Sequence, residues 1–264
     1  MKPPPFEYRA PASVEEALPL LGPDSVVLAG GQSLVPLLNL RLARPEVVVD
    51  INGIAELDYI RTDGVLRIGA MTRQVALERS ELLRGRWPLL HKAVRLVGHP
   101  QIRTRGTVGG SVAHADPAAE LPVALTALGA SFHLRSAAGA RVIGPSEFFV
   151  GPLYTAREPD ELLVEVEVPE RPEGERSGFA EYARTHGDFA TAGAAAVVAP
   201  GGHARIALLG AGPVPVRAEA AERALAEGAE PSDAAELAVQ DLQDDHRRAL
   251  CAELVRRAIA EAIA

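Results

Sequence analysis

The sequence has 264 residues, of which 47% are hydrophobic and 23% charged, with a formal net charge of −8. Such a chain encloses a real core and a large ligand, so disorder and fibrous classes are excluded. The negative balance without clustered Lys and Arg argues against nucleic-acid partners.

No segment approaches the roughly 18 uninterrupted apolar residues of a membrane span, and the opening MKPPPFEYRAP lacks a signal peptide's apolar stretch. A cytoplasmic location without a membrane span is the expectation. Cys251 is the single cysteine. It leaves no disulfide and no thiolate set for an iron-sulfur cluster or zinc, so any such centre is expected on another chain.

In chain order, Ser13 and Glu16 make a capping box for a short helix carrying Val14, Ala17 and Leu18. Val26 to Leu28 read as a buried strand entering the turn Ala29-Gly30-Gly31-Gln32-Ser33, and Leu34 to Leu42 as a short helix around Pro36. Val47 to Val49 form a second strand, closed by Asp50, Asn52 and Gly53. A strand over 66–70 leads to Thr72, the expected N-cap of a helix through Leu83, and an amphipathic helix follows over 87–97. The stretch 98–111 has many turn residues, two arginines and little periodicity, which predicts a ligand-binding loop.

A helix is expected over 117–128, with strands near 131–135, 141–143 and 162–168. Residues 169–178, rich in Pro, Glu, Arg and Gly, have the composition of an exposed linker, and the domain boundary is placed there. Strands over 179–184, 190–198 and 204–209 then precede helices near 217–227, 232–243 and 246–263.

Chemistry is carried by two glycine turns. A diphosphate needs several donors at close range, which backbone amides supply where side chains do not intervene. Gly30-Gly31 and Gly109-Gly110 are each read as permitting positive φ and close approach, with Ser33, Thr107 and Ser111 adding hydroxyls. Neither turn is a Walker or a GxGxxG motif. Leu208-Leu209-Gly210-Ala211-Gly212-Pro213 imitates the start of one, but Pro213 and Pro215 favour a plain turn.

His114, Asp116 and Glu120 have poor metal-ligand spacing, the other histidines show no matching acid, and no metal site is expected. No catalytic Ser-His-Asp or Cys-His set stands out. Arg103 and Arg105 fit either phosphate, a partner's acids or solvent. The stripe Leu250, Cys251, Leu254, Val255, Ala258 and Ala262 fits packing on the last sheet better than a subunit contact.

The segments Leu28-Ala29-Gly30-Gly31-Gln32-Ser33-Leu34, Gln101 to Ser111, Ala115 to Pro122, Asp160 to Leu163 and Gly187-Asp188-Phe189-Ala190 together resemble a known family. It is the FAD-binding medium subunit of molybdenum hydroxylases, the aerobic carbon monoxide dehydrogenase and xanthine dehydrogenase type. The resemblance covers nearly the whole chain. It implies an α+β fold: a vanillyl-alcohol-oxidase-type FAD-binding domain over 1–172, with subdomains of about 1–54 and 55–172, then a C-terminal domain over 173–264 of small antiparallel sheet and helices.

It also implies a site. Ala29 to Ser33 and Thr107, Val108, Gly109, Gly110 and Ser111 would hold the pyrophosphate, with Leu28 and Leu34 flanking the first turn as further cofactor-binding residues. Glu120 would bond a ribose hydroxyl, with Asp116 as a second candidate. Leu163 would lie beside the flavin ring, and Asp188 near its exposed edge, while Tyr182 approaches the flavin or simply fills the sheet. Glu120 stands where Asp is usual and Ser111 where Asn is common.

The implied role is electron transfer. A small subunit with iron-sulfur clusters passes electrons to FAD here, a large subunit with molybdenum and a pterin oxidises the substrate, and the assembly is a dimer of heterotrimers. The alternative is a self-sufficient FAD oxidase or reductase, for which Tyr182, His186 and Asp188 are the acid or base candidates.

Overall fold

The computed structural model describes residues 2–264. The chain opens with β1 (Glu7–Arg9), α1 (Val14–Ala17), β2 (Ser25–Leu28), α2 (Leu34–Asn39) and β3 (Val47–Asp50). These strands form a parallel sheet in the order β1-β3-β2. β1 has three exposed residues and therefore no apolar alternation, so nothing in the sequence marked it. Ser13 caps α1 as expected, accepting from the Glu16 amide at 3.2 Å, while Glu16 reaches the Ala12 amide at 2.9 Å.

Next come β4 (Ile60–Thr62), β5 (Leu66–Gly69), α3 (Gln74–Arg79), α4 (Glu81–Arg86) and α5 (Pro88–Leu96). The single helix expected after Thr72 is two. Thr72 is held by Tyr59, whose amide donates to Oγ1 at 3.1 Å and whose carbonyl accepts from it at 2.8 Å, so Arg73 takes the N-cap place. Ser80 then leaves the helical region and caps α4 through the Leu83 amide, the local competition that serine offers a helix.

The expected loop over 98–111 contains α6 (Pro100–Arg105) and α7 (Val108–His114). Pro100 supplies a preset first turn and Thr107 an N-cap. Six and seven residues are too few for a period to show.

α8 (Glu120–Leu128), β6 (Ser131–Ser136), β7 (Gly139–Ile143), α9 (Pro145–Phe148), β8 (Phe149–Gly151), β9 (Tyr154–Thr155) and β10 (Leu162–Val168) complete a five-stranded antiparallel sheet, order β4-β5-β10-β6-β7, and a small hairpin β8-β9. All nine residues of α8 are buried, the mark of a helix covered on every side.

The last part is β11 (Arg176–Tyr182), β12 (Ala192–Val198), β13 (Ala204–Leu209), β14 (Val216–Arg217), α10 (Glu219–Ala226), α11 (Pro231–Ala238) and α12 (Asp245–Ile263), with the four strands antiparallel in chain order. β14 was not foreseen. It follows the Leu208–Pro213 turn, where Gly210 has φ +73, and no helix begins there.

The final sheet lies between helices. Phe179, Ala195, Val197, Ala207 and Leu209 join one core with Trp87, Leu121, Phe132 and Leu134, while Ala192, Ala194 and Leu208 meet Cys251, Leu254, Val255 and Ala258 of α12 on the other face. The C-terminal stripe thus packs on the sheet. Residues 169–178 are not all exposed linker: Glu175 is 4% exposed and accepts from Arg205 at 3.1 Å, while Arg205 also donates to the Ala127 carbonyl of α8 at 2.8 Å.

Small residues bring α12 against the sheet. A Cβ on Gly178 would lie 2.1 Å from the Ala258 carbonyl oxygen. Gly178→Ala therefore lowers stability by about 1–3 kcal/mol, read as a drop of several degrees in melting temperature; an unchanged melting curve contradicts this packing.

Candidate cofactor-binding site

β2 and β3 run in parallel and end side by side at Leu28 and Asp50. The chain turns at Gly31, the one residue among the two Gly-Gly pairs with positive φ, at +73. Gly30 has a different reason to be glycine: a Cβ there would sit 2.4 Å from the Arg105 carbonyl oxygen and 2.8 Å from the Gly106 Cα. The two turns, far apart in sequence, are in contact.

Gly109 and Gly110 lie inside α7, so the expectation of positive φ at both pairs is corrected to Gly31 alone. A Cβ on Gly109 would meet the Ala70 Cβ at 2.5 Å, so this glycine lets α7 rest on the end of β5. A Cβ on Gly110 would lie 2.7 Å from Thr107 Oγ1 and 3.7 Å from the Ala29 Cβ.

The two turns also differ in the donors they offer. In the second, Val108 donates to the Thr72 carbonyl at 3.0 Å, Gly109 to Ala70 at 2.9 Å, Ser111 to Thr107 at 3.1 Å and Gly110 to Thr107 Oγ1 at 3.0 Å. Those amides are engaged. In the first, the amides of Ala29, Gly30, Gly31, Gln32 and Ser33 have no acceptor among the described residues. A cleft of about 420 Å³ opens there, bounded by Leu28 to Gln32, Asp50, Asn52 and Arg105.

A chain of polar contacts ties these pieces together. Tyr8 donates to Asp50 Oδ2 at 2.6 Å, Asp50 Oδ1 accepts from Asn52 Nδ2 at 2.6 Å, and Asn52 Nδ2 also donates to the Ala29 carbonyl at 2.8 Å. Arg73 donates to Asn52 Oδ1 at 2.6 Å and to the Arg105 carbonyl at 2.5 Å. Hydrogen bonding and the Arg73 charge hold the Asp50 carboxyl below the usual range, although burial opposes this most strongly. Sequence reasoning missed Arg73, and nothing local signals it.

Beyond the turns stand acids without cations. Glu120, 5% exposed in the first turn of α8, is pushed up to about 8, by burial first and then by the nearby charges of Glu181 and Asp116. Burial raises Glu181 of β11 to about 7, and its Oε2 has no hydrogen-bond partner. Asp116 accepts from the Ala118 amide at 2.9 Å. Glu181 was not anticipated, because its place in the site depends on where β11 docks.

The remaining expected residues are more scattered. Leu163 is 4% exposed and sits in the main core, away from the cleft walls. Tyr182 and Asp188 are exposed at the end of β11 and in the loop after it. That loop leans on α6: a Cβ on Gly187 would lie 2.2 Å from the His99 ring, which also faces His186 edge-on at 6.3 Å between centroids.

The two arginines separate. Arg103 is buried and forks onto Glu78 at 2.8 and 3.1 Å and onto the carbonyls of Val97 and Gly98, a structural role; Arg105 borders the cleft. His133 does have matching acids, because strand register sets it opposite Glu165: Nε2 lies 3.6 Å from Glu165 and 3.9 Å from Glu167. Tyr59 and Arg67 already bond those carboxylates, at 2.5 and 2.9 Å.

The acids give a pH prediction. Glu120 titrates near 8 when folded, against the ordinary 4.5. Between those limits the folded state holds more protons than the unfolded, so this group lowers stability as pH rises through the window. The melting temperature of the flavin-free protein should fall from pH 5 to pH 8, and Glu120→Gln should flatten the fall; an identical slope in the variant contradicts the burial.

Known proteins match this arrangement along its length. Residues 4–171 match the family described as FAD binding domain in molybdopterin dehydrogenase. The alpha subunit of the 6-hydroxypseudooxynicotine dehydrogenase complex of Paenarthrobacter nicotinovorans is 43% identical, covering 100% of this chain and 96% of that one. The carbon monoxide dehydrogenase medium chain of Hydrogenophaga pseudoflava is 39% identical over 98% of this chain and 97% of its own. A solved carbon monoxide dehydrogenase from that organism, lacking the Mo-pyranopterin moiety, superposes with a TM-score of 0.94 at 40% identity, covering 100% of this chain and 99% of the other. The chain belongs to the FAD-binding family of the molybdopterin dehydrogenases.

Proposed function

We propose that this chain is the FAD-carrying electron-transfer subunit of a heteromeric molybdenum hydroxylase. The observation that carries the reading is the run of unbonded amides from Ala29 to Ser33, most of them on residues that line a cleft bordered by Arg105, with Gly30 packed on Arg105 and Gly106 just ahead of the second glycine turn. A diphosphate dianion suits such a run, and Arg105 at the rim favours it electrostatically. Ser33 and Ser111 would add hydroxyl donors beside it, as would Thr107, whose buried Oγ1 already caps the Gly110 amide. Glu120, buried, and Glu181, half-buried, have no cation opposite among the described residues and would accept from ribose hydroxyls.

FAD would supply the exchange between one-electron and two-electron steps. This chain's residues bind and orient it. We assign residues 1–172 to the flavin domain and 173–264 to the C-terminal domain, with Tyr182 and Asp188 toward the ring and Leu163 supporting its floor from the core. The partners in this reading are a small iron-sulfur subunit and a large molybdenum subunit, assembled as a dimer of heterotrimers in the cytoplasm.

A self-sufficient oxidase would need an acid or base held over the flavin. Tyr182, His186 and Asp188 are all exposed, and none has a side-chain hydrogen bond among the described residues. No observation favours that alternative.

Two outcomes test the assignment. The chain should purify as a yellow protein with two other subunits, and Gly30→Ala, which sets a methyl against the Arg105 carbonyl, should lower FAD affinity tenfold or more, about 1.4 kcal/mol. Flavin titration reads the affinity, and circular dichroism checks that the fold persists. Unchanged affinity in Gly30→Ala refutes the placement of the diphosphate.

A further inference from the structure

We propose that Arg73 is a positioning residue that fixes the spacing of the two glycine turns and thereby sets how tightly FAD is held; this rests on the proposed reading of the cleft as the diphosphate site. The backbone of Arg73 already belongs to the second turn. It pairs with Thr107, flanked by bonds from the Val108 amide to Thr72 and from the Gln74 amide to Gly106, at 3.0 and 2.9 Å.

The side chain supplies the connection to the first turn. Nη2 donates to Asn52 Oδ1 at 2.6 Å and Nη1 to the Arg105 carbonyl at 2.5 Å. Asn52 continues to the Ala29 carbonyl at 2.8 Å and is itself held by Asp50, which Tyr8 grips from β1. The Arg105 carbonyl that Arg73 holds is the one against which Gly30 packs. One planar guanidinium therefore fixes the acceptor on each side of the cleft mouth at a set separation. A lysine ammonium is a single point on a flexible stem and cannot.

The charge of Arg73 is the competing explanation. Burial, then the neighbouring Arg105 charge, pushes its pKa down, against the raising charges of Asp58 and Asp50. Geometry and charge make different forecasts for lysine.

The test uses the assembled complex and the loss of FAD on dilution, followed by flavin fluorescence. Arg73→Gln and Asn52→Ala should each speed FAD loss about tenfold, the double variant should be no worse than the poorer single one, and Arg73→Lys should behave like Arg73→Gln. The melting temperature of the flavin-free complex should be unchanged in all four. Full rescue by lysine, additive effects of the two single changes, or a parallel loss of flavin-free stability would each overturn the inference. Gly30→Ala separates the two levels of the argument. If it releases FAD and Arg73→Gln does not, the inference on Arg73 fails alone; if neither does, the diphosphate reading fails and takes the inference with it.

Discussion

The structure depends on a backbone contact between segments some 75 residues apart: Gly30 lies flat against the Arg105 carbonyl and the Gly106 Cα, where any side chain would collide. That contact brings the end of a parallel αβ unit to the edge of a separate antiparallel sheet. It leaves the first turn with unbonded amides and the second with an internally satisfied helix start. The asymmetry has a physical logic. The loop of free donors is partly open to solvent, with Ser33 exposed and Gly30 buried, whereas the second turn, with Thr107 2% exposed, satisfies its own donors.

Further from the cleft the chemistry changes sign. Around the turns, the Arg73 guanidinium, the Asn52 side-chain amide and the Tyr8 hydroxyl each donate to an acceptor within hydrogen-bond distance. Glu120 is buried and Glu181 half-buried, with no cation opposite either among the described residues, which is unfavourable for a chain considered alone. Their raised protonation is the local remedy. Such uncompensated groups concentrate at sites built for a ligand, and here they fall beside the helix that starts after the second turn.

Much of this was legible in the sequence because its signals are local. Valine runs fixed β2 and β3, Ser13 fixed the start of α1, and Gly-Gly pairs drew attention to both turns. The acids beyond the turns were only half legible: Glu120 follows from the family motif, while Glu181 depends on how β11 docks. The helices α6 and α7 hid because each is shorter than two full turns. β1 hid because all three of its residues are exposed and it is held by pairing with β3. Arg73, Asn52 and the acids opposite His133 became visible only through strand register and tertiary contact, which no periodicity encodes.

In the proposed site the first turn donates main-chain amides to the cofactor, while the second packs behind it with its own amides already bonded. Amide hydrogen exchange, compared with and without FAD, measures this residue by residue. Strong new protection is expected at residues 29–33 and little change at 108–111, whose amides are already bonded in the protein. Protection gained at 108–111 with none at 29–33 would contradict it.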